Sequence, residues 1–74
     1  MEHYRNFSGK SGVIAYEIGG DFIKVQFKDG HVYLYNYAST GGQNVEMMKS
    51  LAIAGSGLNS FIGRVVKKNF ASKS

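Results

Sequence analysis

The sequence has 74 residues, nine Lys and Arg against five Asp and Glu, a formal net charge of +4, and no cysteine. A chain of that length makes one domain and buries roughly 60% of its unfolded surface, a modest core with no disulfide or thiolate metal site to reinforce it. No apolar run approaches the roughly 18 residues of a bilayer span. The opening Met1-Glu2-His3-Tyr4-Arg5 has no basic segment followed by an apolar run, so a cytoplasmic protein is expected and the sequon Asn6-Phe7-Ser8 is read as chance.

Residues 1–12 carry glycines, serines, Tyr4 and Phe7 without regular spacing, which predicts a loose arm. Val13 to Ile18 predicts a first strand with Ile14, Tyr16 and Ile18 on one side, ended by Gly19-Gly20. Phe22 to Lys28 alternates Ile23, Val25 and Phe27 with Lys24, Gln26 and Lys28, as a half-buried second strand does. His31 to Tyr37 predicts a third, in which Tyr33, Tyr35 and Tyr37 share a face because side chains alternate.

The Asp29-Gly30 hairpin permits two registers. A two-residue turn sets Phe27 opposite Val32 and leaves the tyrosines exposed beside Lys24 and Gln26. A three-residue loop over Lys28-Asp29-Gly30, with Gly30 left-handed, sets Tyr33 and Tyr35 opposite Val25 and Ile23 and sends them to the core. A slip of one residue flips the strand, and both turns accept Asp-Gly.

Ala38 to Gln43 reads as a loop. A helix follows over 44–54, with Val45, Met48, Leu51 and Ala52 on one stripe and Gly55 as its stop. The Met47-Met48 pair reads as core packing rather than a ligand groove. A second helix is predicted over 58–70 from Leu58, Phe61, Ile62, Val65, Val66 and Phe70, capped by Ser56 or Asn59. Opposite that stripe, Ser60, Arg64, Lys67 and Lys68 form a polar ridge with one basic patch. Residues 71–74 are a short basic tail. The expected fold is α+β: a three-stranded antiparallel meander over 13–37, covered on one face by two helices over 44–54 and 58–70.

All five acidic residues precede Met47, while Lys49, Arg64, Lys67, Lys68 and Lys73 follow it. This asymmetry suits either a solvated face or a surface for a polyanion.

Ile23-Lys24-Val25-Gln26-Phe27, Gly30, Tyr33-Leu34-Tyr35 and Gly57-Leu58-Asn59-Ser60-Phe61-Ile62 together resemble the KTSC domain, a small domain found at the C-terminus of some lysyl-tRNA synthetases and as a stand-alone bacterial protein. The resemblance spans about 11–70 and marks Tyr33, Tyr35, Gly30, Gly57, Asn59 and Ile62 as motif positions. This chain departs from the family where Tyr37-Ala38-Ser39 replaces Val-Pro and where Gly63 precedes Arg64. The resemblance implies RNA binding and favours the bulged hairpin, because family members are polar at the position of Leu34. That register would leave Phe22, Val32 and Leu34 on the outer face.

Two functions follow as expectations. The first is a non-enzymatic module binding RNA or another single-stranded nucleic acid, with Arg64, Lys67, Lys68 and Lys49 as phosphate contacts and tyrosine as a stacking surface. The second is a protein-interaction or homodimer module using the outer sheet face, as in an appended domain or a small phage or bacterial regulator. His3 and His31 have no second ligand at helical spacing, the serines have no base, and Gly55-Ser56-Gly57 lacks the βαβ context of a phosphate loop. An enzyme, a metal and a cofactor are therefore not expected.

Overall fold

The turn at Lys28-Asp29-Gly30 decides which side of the sheet the tyrosines occupy. In the computed structural model, which describes residues 1–74, the Gly30 amide donates to the Phe27 carbonyl at 2.9 Å and the Phe27 amide to the His31 carbonyl at 3.0 Å. Gly30 sits at φ 90°, so the loop is the three-residue form with a left-handed glycine. Val25 stands opposite Tyr33 and Ile23 opposite Tyr35. Tyr35 is buried with Ile23 and Val25, and Tyr33 packs half-buried beside them.

The elements are β1 (Glu2–His3), β2 (Val13–Ile18), β3 (Phe22–Phe27), β4 (Val32–Asn36), α1 (Tyr37–Thr40), α2 (Gly42–Ala54), α3 (Leu58–Phe61), which runs on as a π-helical turn over Ile62–Val66, and β5 (Ser72–Lys73). The fold is α+β, with one antiparallel sheet ordered β1-β2-β3-β4-β5. Its core joins Ile23, Val25 and Tyr35 of the sheet to Val45, Met48 and Ala52 of α2 and to Leu58, Ile62 and Val66. No helix is long and apolar enough to cross a membrane.

Five strands and three helices stand where three strands and two helices were expected. The first addition comes from the arm: Glu2 and His3 pair with Tyr16 and Ala15, and the Tyr4 amide donates to the Ile14 carbonyl at 2.9 Å. Residues 1–12 are thus not loose. Tyr4 is 1% exposed, and its hydroxyl accepts from the Leu58 amide at 3.3 Å, one of the first-turn donors that a helix leaves unpaired. That contact does the work expected of Ser56 or Asn59, since the N-cap is Gly57 and no side chain of the cap itself bonds. The second addition is the presumed tail. Its Ser72 and Lys73 pair with Leu34 and Tyr33.

Within β2 the alternation breaks. Val13 faces Phe27 and Ala15 faces Gln26, so Ile14 is the extra residue of a bulge. A bulge reverses which side chains point inward, and the core receives Val13 while Ile14 is exposed. Residues 38–43 are not simply a loop. Asn36 and Ser39 form a reciprocal capping box that starts α1, and Tyr37 leaves the strand and faces solvent.

The last helix ends at Val66, not at residue 70. The Lys67 amide donates to the Ile62 carbonyl at 2.6 Å, five residues back, and Lys67 at φ 47° turns the chain away. A four-residue step overshoots an α-helical turn by about 40°, and the wider π turn returns it. Leu58, Ile62 and Val66 therefore line up inward, while Val65 is 44% exposed. Phe70, expected on that stripe, instead packs against Tyr33 and Tyr35.

Candidate functional site

β4 carries its aromatic side chains toward the helical layer, and the chain returns across them after the π turn. Tyr33 meets Phe27 edge-on at 5.3 Å between ring centroids and Phe70 edge-on at 4.9 Å. Its ring stacks on Tyr35 at 6.4 Å. These four rings and Ile62 floor a groove of about 400 Å³. Lys67, Lys68, Lys73 and Asp29 complete its lining. Such a volume lies within the roughly 300–1,000 Å³ of small-molecule sites.

Its polar groups are unequal in charge. Lys73 holds its ammonium 5.5 Å from the Tyr33 ring centroid, within reach of a cation–π interaction. The Asp29 carboxylate accepts from the His31 amide at 2.9 Å and lies 3.0 Å from His31 Nδ1. Those bonds, first the backbone and then the ring, hold Asp29 below its ordinary range, and the charge of Lys73 adds a smaller effect in the same direction. Three lysines and one aspartate, whose carboxylate is already engaged, thus share the lining of the groove. Inside the groove, burial pushes the Tyr35 phenol up to about 12, with Tyr33 adding to the effect. Tyr35 therefore stays protonated over the ordinary pH range.

Of the four basic residues expected to bind phosphate, the structure brings only Lys67 and Lys68 to this groove. Arg64 is exposed on the π turn but does not line it. Lys49 sits elsewhere, at the Gly20 end of β3. Its ammonium donates to Glu46 Oε2 at 2.8 Å and to the Gly20 carbonyl at 2.9 Å, and only 12% of its side chain is exposed. Glu46 also accepts from the Tyr37 hydroxyl at 2.6 Å, so Lys49 belongs to a structural cluster. Of the expected patch of Arg64, Lys67 and Lys68, the last two line the groove together with Lys73, while Arg64 and the further candidate Lys49 lie outside it.

The motif positions divide similarly. Tyr33, Tyr35 and Ile62 line the groove, and Gly30 makes the adjoining turn. Gly57 and Asn59 lie in a separate small polar recess with Ser8, Lys10, Ser11 and Ser60. Lys73, Phe27, Phe70 and Asp29 were not singled out as site residues in the sequence. Their convergence depends on β5 pairing with β4, which a two-residue strand does not announce. Comparison with protein families, with characterised proteins and with solved structures gave no match.

Proposed function

We propose that this chain is a non-enzymatic module that binds single-stranded nucleic acid through the groove between β4 and the π turn. The supporting observation is the convergence of Lys67, Lys68 and Lys73 on a floor of aromatic rings. Ammonium groups take phosphates, and exposed ring surface takes an unpaired base, which adds about 1–3 kcal/mol per base. The resemblance to the KTSC domain points to the same ligand class.

A protein contact through the outer sheet face has less support. Lys24 stands between Glu17 and Leu34, and Gln26 between Ala15 and Val32, so polar side chains interrupt the apolar ones. Phe22 folds its ring over Gly19, leaving no room for a Cβ at that position.

Fluorescence anisotropy with a labelled short oligouridine tests the reading. Three phosphate contacts at about 0.7 each give a log–log salt slope of about −2, so affinity falls about 20-fold between about 50 and 200 mM salt. Replacing Lys67, Lys68 and Lys73 together by Gln flattens that slope. Lys49→Gln, the control, leaves affinity within about two-fold because its charge is spent on Glu46. Salt-independent binding, or a triple variant that binds like the parent, refutes the proposal.

A further inference from the structure

Tyr35 combines two properties that rarely coexist. It is 1% exposed, yet it lines the groove. Its hydroxyl makes no hydrogen bond to any protein group, although Tyr4, the other fully buried tyrosine, has one. Buried hydroxyls are normally paired. No side-chain oxygen or nitrogen is both sealed from solvent and unpaired, so the Tyr35 hydroxyl keeps its remaining access through the groove it lines. A protonated phenol in that position is a fixed donor facing whatever enters.

The rings around it limit what can enter. Tyr33 is clamped edge-on by Phe27 and Phe70, and the space of about 400 Å³ is near the lower end for ligand sites. It suits one planar heterocycle rather than a stack of several. The three lysines lie around the same opening, where the phosphates flanking an inserted base would run.

Building on the strand-binding reading above, we infer that the groove takes a single base of the strand and that the Tyr35 hydroxyl donates a hydrogen bond to an acceptor atom on that base's edge. Lys67, Lys68 and Lys73 hold the backbone outside. Tyr35 thus becomes a base-reading residue, separate from the charge that draws the strand in.

The test compares oligouridine with an abasic ribose-phosphate strand of equal length and charge, each titrated into the parent and into Tyr35→Phe. The abasic strand is expected to bind about 10-fold more weakly to the parent. Tyr35→Phe is expected to weaken oligouridine binding about 3- to 10-fold, to leave abasic binding unchanged and to keep the salt slope. Because the hydroxyl has no protein partner, the variant keeps its ring packing and its thermal midpoint, which circular dichroism checks. Oligouridine binding by Tyr35→Phe at the parent affinity overturns the inference, as does equal affinity of the parent for both strands. If the salt slope persists in those cases, strand binding stands and base insertion alone falls. Binding of neither strand removes both.

Discussion

Tyr4 is the sharpest test of how this fold is held. Its side chain reaches from a segment that reads as a loose arm into the core, and its hydroxyl accepts from the Leu58 amide. A domain of 74 residues has a stability of about 4–11 kcal/mol at the usual 0.05–0.15 kcal/mol per residue. Truncating a buried aromatic to Ala costs about 3–5 kcal/mol. Tyr4→Ala should therefore remove between about a quarter and all of the total. Tyr4→Phe keeps the ring and loses only the acceptor, at about 1 kcal/mol, which lowers the thermal midpoint by about 4–8 °C in a domain of this size. Urea unfolding followed by circular dichroism gives both values, with the m-value checking that the same surface is exposed. A Tyr4→Ala cost below about 1 kcal/mol would refute the reasoning, because a fully buried aromatic cannot be deleted so cheaply.

Gly55 ends α2 at φ 80°, and a Cβ there would lie 2.8 Å from the Cβ of Arg5. Gly30 also has positive φ but has nothing within 4 Å of an added Cβ. Gly30→Ala should cost about 1–2 kcal/mol for backbone strain, and Gly55→Ala should cost more in the same chemical denaturation assay; equal losses would show that the arm does not approach α2 closely. Tyr35 supplies a pH prediction. Its folded-state value of about 12 lies above the ordinary 10.0, so its contribution is complete below pH 10 and is lost as pH rises toward 12. Phenolate absorbance should show one late-titrating tyrosine that Tyr35→Phe removes, and titration of every phenol near the ordinary value would contradict the burial.

Elements with a local period were legible in the sequence. Ile23 and Val25 alternate with Lys24 and Gln26, and Val45, Met48 and Ala52 recur along one helical face, so each pattern states its own burial. The hairpin was legible only as a pair of alternatives, because Asp29-Gly30 suits both turns. What the sequence concealed are local departures from a period. Ile14 is extruded by a bulge, and Val65 is turned outward by π winding, although both read as core. Glu2–His3 and Ser72–Lys73 are too short to carry any alternation, and their pairing is set by partners distant along the chain. The site was half visible for that reason. Lys67 and Lys68 adjoin an obvious amphipathic stripe, whereas Lys73 joins them only once it lies beside Tyr33. Lys49 misled in the other direction, since helical spacing showed its charge but not the Gly20 carbonyl that engages it.

Both lateral margins of the sheet are finished by strands of only two residues. So brief a border exposes too few free amides and carbonyls to template another polypeptide, whereas the longer β2 and β4 would do so readily if bare. The flanking segments thus act as fenders against fibril-like association. A change that loosens either one should first be felt as precipitation, while most of the native packing still survives.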